Sequence, residues 1–231
     1  MPGVATRVMG NTTTATQTAL SCTGGRDVFY SFTLAQREIV SIDTFGSAFD
    51  TVIGFATSCA VTPTMCTDDS CSTLQSQVPT VLDAGTYYIV VDGFGTSSGA
   101  FTLNVEHLPV NGAPSGALFA GMQTLNGSTV ASANSPGTCG TAPDRWYYWL
   151  TCPAAPGGTF TATTCVPGSG NYDTTLQLRN GSGAGGGCND DACGLLSTLS
   201  AMVPAGGGLH VFYADGAGAS TGMYSAVVNR P

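Results

Sequence analysis

The residues in this chain best suited to chemistry are acids held between cysteines. CTDDSC, from Cys66 to Cys71, sets Asp68 and Asp69 between two thiols, and CNDDAC, from Cys188 to Cys193, does the same with Asp190 and Asp191. A hard cation such as calcium takes about six to eight oxygens from carboxylates, carbonyls and water, and adjacent aspartates in a rigid loop furnish part of that shell. Asp50 and Asp173, each on a preceding strand, are the further ligands such a site would use. The spacing is not that of an EF-hand loop. The competing chemistry is structural, because Asp in a tight turn accepts backbone N–H bonds. Bracing of the two loops is the expected role, with calcium ligation the alternative.

Other chemistries fit less well. GTSSG, Gly95 to Gly99, matches G-x-S-x-G in letters, but no helix follows it to make a nucleophile elbow. GSGAGG, Gly181 to Gly186, matches G-x-G-x-x-G yet leads into Cys188 rather than into a helix. The two histidines, His107 and His210, stand at non-equivalent positions, and with only two Glu no carboxylate pair stands out for glycoside hydrolysis. In WYYWL, Trp146 to Leu150, alternation sends Tyr147 and Trp149 to a core and leaves Trp146 and Tyr148 as candidates for stacking on a sugar.

Those residues must be positioned by strands. The 231 residues include 32 Gly, no Lys, and twelve Asp against two Glu, a profile poor in helix formers and rich in turn formers. Alternation marks DVFYSFTL, with Val28, Tyr30, Phe32 and Leu34 on one face, and its counterpart DRWYYWLT. FDTVIGFAT corresponds to YDTTLQLRN, and GAFTLNVE to GMYSAVVN. LDAGTYYIVVDG corresponds to PAGGGLHVFYADG, an apolar run closed by an Asp-Gly turn. Cys22 and Cys139, like Asp27 and Asp144, are 117 residues apart, whereas Asp50 and Asp173, like Asp92 and Asp215, are 123 apart. An extra loop around CVPGSGN, Cys165 to Asn171, takes up the difference, as surface loops tolerate. The chain is therefore expected to be all-β: two tandem antiparallel β-sandwich domains of jelly-roll-like form, 1–108 and 109–231, joined by a Pro/Gly linker at about 107–116.

The net charge of -8 divides as -6 over residues 1–108 (three Arg against nine acids) and -2 over 109–231 (three Arg against five), which argues against nucleic acid and anionic membrane as partners. No apolar run is long enough to span a bilayer. Nine cysteines without zinc or iron–sulfur spacing point to disulfides and an oxidising, extracellular setting. The start, MPGVATRVMGNTTT, lacks the apolar core of a signal peptide, so a secreted chain is expected to have lost its leader or to carry it upstream. An odd cysteine count leaves one unpaired. Cys59 with Cys66 and Cys22 with Cys71 is the favoured pairing in the first half. Cys152 with Cys165 is favoured in the second, leaving Cys139, Cys188 and Cys193 for one bond and a free thiol, although four cysteines alone allow three pairings.

FDTVIGF (Phe49 to Phe55), the pair Asp68 and Asp69, AGTYYIVVDG (Ala84 to Gly93) and SGAFTLNV (Ser98 to Val105) resemble the bacterial pre-peptidase C-terminal domain family, as found in tandem in secreted proteins of the myxobacterial type. The second copy matches through NYDTTLQLRN and CNDDAC and departs at AGGGLHVFYADG. The resemblance implies a jelly-roll-like sandwich, a secreted setting and an accessory role, with calcium or an extracellular polymer as ligand. The expected function is thus a non-enzymatic extracellular binding or attachment module. The alternative is a subunit of a fibre or surface layer, copies joining by strand addition through the Thr-rich GNTTTATQTAL, and an enzyme fragment is the remotest reading.

Overall fold

The computed structural model describes the chain except residues 1–3, 19–20, 171 and 183–185. Among the described residues every regular element is a strand. Contacts group them into two compact units, Val4–His107 and Leu108–Pro231.

The first unit is built from β1 (Val4–Asn11), β2 (Val28–Leu34), β3 (Glu38–Asp43), β4 (Thr51–Ala56), β5 (Met65–Thr67), β6 (Asp69–Ser70), β7 (Thr73–Leu82), β8 (Gly85–Gly93) and β9 (Ala100–Pro109). They form two sheets, ordered β1-β9-β3-β7-β6 and β2-β8-β4-β5, so the chain passes back and forth between layers in jelly-roll fashion. Val40, Ile42, Phe101 and Leu103 from one sheet close on Ile53, Phe55, Ile89 and Val91 from the other. On β2 the predicted face is the inner one: Leu34 is buried, and Val28, Tyr30 and Phe32 pack on the core from its margin. The Phe101 ring lies against Gly10 on the neighbouring strand, where an added Cβ would come within 2.3 Å of it.

The second unit comprises β10 (Gly116–Ala117), β11 (Gly121–Ser128), β12 (Arg145–Thr151), β13 (Gly158–Thr163), β14 (Thr174–Asn180), β15 (Cys188–Asp190), β16 (Thr198–Val203), β17 (Gly208–Gly216) and β18 (Met223–Arg230). Its sheets run β10-β12-β17-β14-β15 and β11-β18-β13-β16. Tyr147, Trp149, Leu176 and Phe212 face Phe160, Leu199, Ala226 and Val228. The Trp149 ring stacks on Phe160 at 5.3 Å between centroids.

Three expectations need correction. The presumed linker is partly strand, since His107–Pro109 ends β9 and Gly116 begins β10. One pairing is not antiparallel: β10 runs parallel to β12. The Thr-rich segment, whose residues 19 and 20 lie outside the described residues, is not a free strand over 10–18. β1 ends at Asn11, whose side chain accepts the Thr13 N–H at 2.7 Å; Thr12 is buried and bonds Gly99 O; and Thr18 donates from N and Oγ1 to Asp27. Short polar side chains capture the backbone there and turn the chain away from the sheet.

Candidate metal centres

Each acidic loop is set by a strand entered through an Asp-Thr dipeptide. Thr51 and Thr174, the first residues of β4 and β14, are buried. The Thr51 hydroxyl meets Thr44 Oγ1 at 2.6 Å, and Ser76 Oγ donates to Thr51 O at 2.6 Å. Thr164 and Ser197 hold Thr174 in the same way. A buried hydroxyl network of this kind fixes the backbone at the preceding residue, Asp50 or Asp173. Pairing of β4 with β5 (Ile53 opposite Thr67) and of β14 with β15 (Thr175 opposite Asp190) then brings the acid pair alongside. The Asp-Thr dipeptide common to FDT and YDT is the visible signal of this network in the sequence.

The result is one acid triad in each unit. Carboxylate oxygens of Asp50, Asp68 and Asp69 all lie within 4.8 Å of one another, and so do those of Asp173, Asp190 and Asp191. Oδ1 of Asp50, Asp68 and Asp173 is shielded from solvent with no hydrogen-bond partner. Partial burial holds the Asp50 carboxyl above its ordinary pKa, and the charges of Asp68 and Asp69 raise it further. Asp173 is raised likewise, by burial and then by Asp190 and Asp191. The ion pairs among the described residues, Arg37 with Asp83 and His107 with Glu38, leave all six acids without a cation. Clustered hard oxygens that repel one another and have no positive partner are a donor set for a cation such as calcium, with waters and carbonyls completing its shell.

The bracing expectation fares differently. Among the described residues no backbone N–H donates to the carboxylates of Asp68, Asp69, Asp190 or Asp191, which lie beside the third acid. Neutral groups hold the loops. Gln77 N donates to Ser70 Oγ at 3.0 Å, Thr73 Oγ1 to Ser70 O at 2.9 Å, and Thr198 N to Asn189 Oδ1 at 2.8 Å. Cys71 and Ser72 form a two-residue hairpin turn with φ of 57° and 58°, the left-handed pair that the twist of a tight hairpin requires.

Cysteines tie both loops down, in pairings other than those favoured from sequence. Cys22 bonds Cys66, not Cys71, with Cα atoms 5.9 Å apart. Cys139 bonds Cys188, and Cys165 bonds Cys193 rather than Cys152. Cys71 and Cys152 are disulfide-bonded as well. The free thiol is not in the second unit; it is the exposed Cys59. The Cys22 loop is anchored in turn by Asp92, whose Oδ2 accepts Thr23 N at 3.0 Å and Thr23 Oγ1 at 3.1 Å. Asp92 is thus a buried member of β8 rather than the turn residue the Asp-Gly dipeptide suggested.

The remaining candidates fall elsewhere. GTSSG lies in the β8–β9 turn, where Ser97 N bonds Phe94 O. GSGAGG falls partly outside the described residues. His107 contacts Glu38, whereas His210 is buried, stacks on Trp149 at 4.9 Å and meets Thr151 Oγ1 at 3.3 Å. Burial, aided by the Arg230 charge, lowers the His210 pKa to about 4. Trp146 offers no stacking platform: it is buried and donates Nε1–H to Asn111 O at 2.8 Å, under the strand that enters β10.

No family model matches this chain, and no curated protein does. Among solved structures, a vicilin from Solanum melongena is similar at 7% identity, covering 88% of this chain and 73% of that one with a TM-score of 0.15, too slight a likeness to carry any argument.

Proposed function

We propose that this chain is a secreted, non-enzymatic tandem of β-sandwich modules that attaches to a polymer or surface outside the cell, each module closing its acidic loop on a calcium ion. The observation that carries the reading is the convergence of three carboxylates in each unit with no cationic partner among the described residues. Disulfides at both loops support an oxidising compartment, and no helix is long and apolar enough to cross a membrane. The resemblance of FDTVIGF and AGTYYIVVDG to the pre-peptidase C-terminal family supports the accessory role, since those segments form β4 and β8 of a jelly roll. Calcium would offset two of the triad's three negative charges and fix the loop; Asp50, Asp68 and Asp69, or Asp173, Asp190 and Asp191, would hold it. Calorimetric titration with calcium is expected to give two sites per chain, and co-sedimentation with insoluble extracellular polysaccharide is expected to be lost in chelator. Absence of calcium heat together with an unchanged melting temperature in chelator overturns the metal; failure to sediment with any envelope or matrix polymer overturns the attachment.

A further inference from the structure

We propose that the outer face of the sheet β11-β18-β13-β16 in the second unit is a pairing surface for a second copy of this chain. The register of the four strands decides what that face presents. Phe160, Leu199, Ala226 and Val228 point into the core, so the residues that alternate with them point outward. Thr161 of β13 lies between Asn229 of β18 and Ser200 of β16, and Thr163 lies between Val227 and Thr198. On the far side of β18, Thr124 of β11 lies across from Val227. The centre of the face is thus a plain of short neutral side chains, most of them hydroxyls.

Charge points to the occupant. These four strands carry a single charged residue, Arg230. It shares the inward parity of Val228 and donates to Leu118 O at 2.7 Å, which leaves the outer face without charge. The counterpart face of the first unit is different, because Arg7 on β1, Glu106 on β9 and Asp43 on β3 have the outward parity there. In a chain of net charge -8, two copies repel wherever their acids approach. A neutral face is where they meet at the lowest electrostatic cost. The cores of protein interfaces are depleted of charge for the same reason, and they are enriched in Met. A neutral polysaccharide suits the face less well, since no aromatic ring points outward from these strands to stack on a sugar.

Three methionines rim this plain: Met122 on β11, Met202 on β16 and Met223 at the start of β18, 76%, 69% and 74% exposed. Their flexible thioethers adapt to an opposing surface. A twofold axis along the strands sets β11 of one copy over β16 of the other, which carries Met122 onto the strand of Met202 and leaves Thr161, Thr163 and Val227 at the centre. By strand spacing and rise the face measures about 20 by 25 Å. A face-to-face pair therefore buries about 1,000 Å² over the two copies, the lower end of specific interfaces, which makes the dimer weak and dependent on concentration.

The test is sedimentation velocity of the full chain over a range of concentrations, in a Cys59→Ser background that removes the exposed free thiol and with it any disulfide between copies. A monomer–dimer equilibrium is expected. Salt should tighten it, because screening relieves the remaining repulsion between acids, and Thr161→Glu, which puts a charge at the centre of both faces, should weaken it at least tenfold. Ser200→Glu on the edge strand decides the matter if Thr161→Glu fails to fold. Met9→Glu, on the charged face of the first unit and 76% exposed, should leave the equilibrium unchanged. A chain that stays monomeric at every concentration overturns the proposal, as it does if Thr161→Glu instead abolishes co-sedimentation with polysaccharide, for the polymer is then the occupant. A dimer that salt weakens, that tolerates the Glu substitutions at the face, or that Met9→Glu breaks equally overturns it as well.

Discussion

Asp50→Asn distinguishes a cation site from a braced turn, because the two predict opposite signs in the absence of calcium. With the carboxylates of Asp50, Asp68 and Asp69 no more than 4.8 Å apart, each pair of charges repels by about 0.9 kcal/mol at the dielectric constant of water. Asn at position 50 removes two of the three pairs, or about 1.7 kcal/mol, which screening at physiological salt reduces to roughly 1 kcal/mol. Asp50 Oδ1 has no hydrogen-bond partner to lose. In chelator the variant should therefore be more stable than the parent by about 1 kcal/mol, the gain growing toward 1.7 kcal/mol as salt is lowered. In calcium the order reverses. The parent's first unit gains roughly 2.7 kcal/mol at a hundred times the dissociation constant, and the variant's first unit gains little. Urea denaturation at pH 7.5, at two salt concentrations and with or without chelator, reads all four values. A variant less stable than the parent in chelator refutes the repulsion argument and restores the carboxylate to a bracing role.

Burial pushes the Asp144 carboxyl up to about 7 from 3.8, with the nearby Asp215 adding to the shift and two Ser135 bonds opposing it. The folded value lies above the unfolded one, so this contribution is fully present below about pH 4 and is lost as pH rises through 7, a change of at most about 4 kcal/mol. Asp144→Asn should flatten that slope in denaturation curves from pH 4 to 8, and an unaltered slope refutes it. Replacing Cys22 and Cys66 together by Ser should cost about 4 kcal/mol, given the 44-residue separation, whereas Cys59→Ser should leave the melting temperature unchanged because that thiol is exposed and free. Gly93→Ala and Gly216→Ala each place a Cβ within 1.9 Å of a backbone oxygen, Ser97 O or Ser220 O. Each should destabilise its unit by about 3 kcal/mol or more, measured by thermal denaturation; a neutral effect would mean that the turn after β8 or β17 yields freely.

Strand character was legible in the sequence because side chains on a strand alternate between water and core, and that period is written directly into Val28-Tyr30-Phe32-Leu34 and Tyr147-Trp149. Corresponding landmarks in the two halves were legible for the same reason: Ile53 and Leu176, or Phe101 and Tyr224, occupy matching core positions because matching patterns bury matching faces. Asp50 and Asp173 entered the candidate sites by that alignment alone.

Tertiary structure decided what depends on which strand lies beside which. Cys66 and Cys71 are five residues apart, and no local rule says which of them reaches Cys22; pairing of β5 with β4 sets Cys66 beside the Cys22 loop that Thr23 and Asp92 anchor. Whether an acid pair braces its own turn or lies beside a third acid depends on the same pairing, which sets Asp68 and Asp69 alongside Asp50. Ser115–Leu118 read as linker because two paired residues and one buried Leu are too short a run to carry a period, yet parallel addition to β12 makes that Leu part of the core. Local alternation states which face of a strand is buried, and only long-range pairing states what that face, and the edge beside it, will meet.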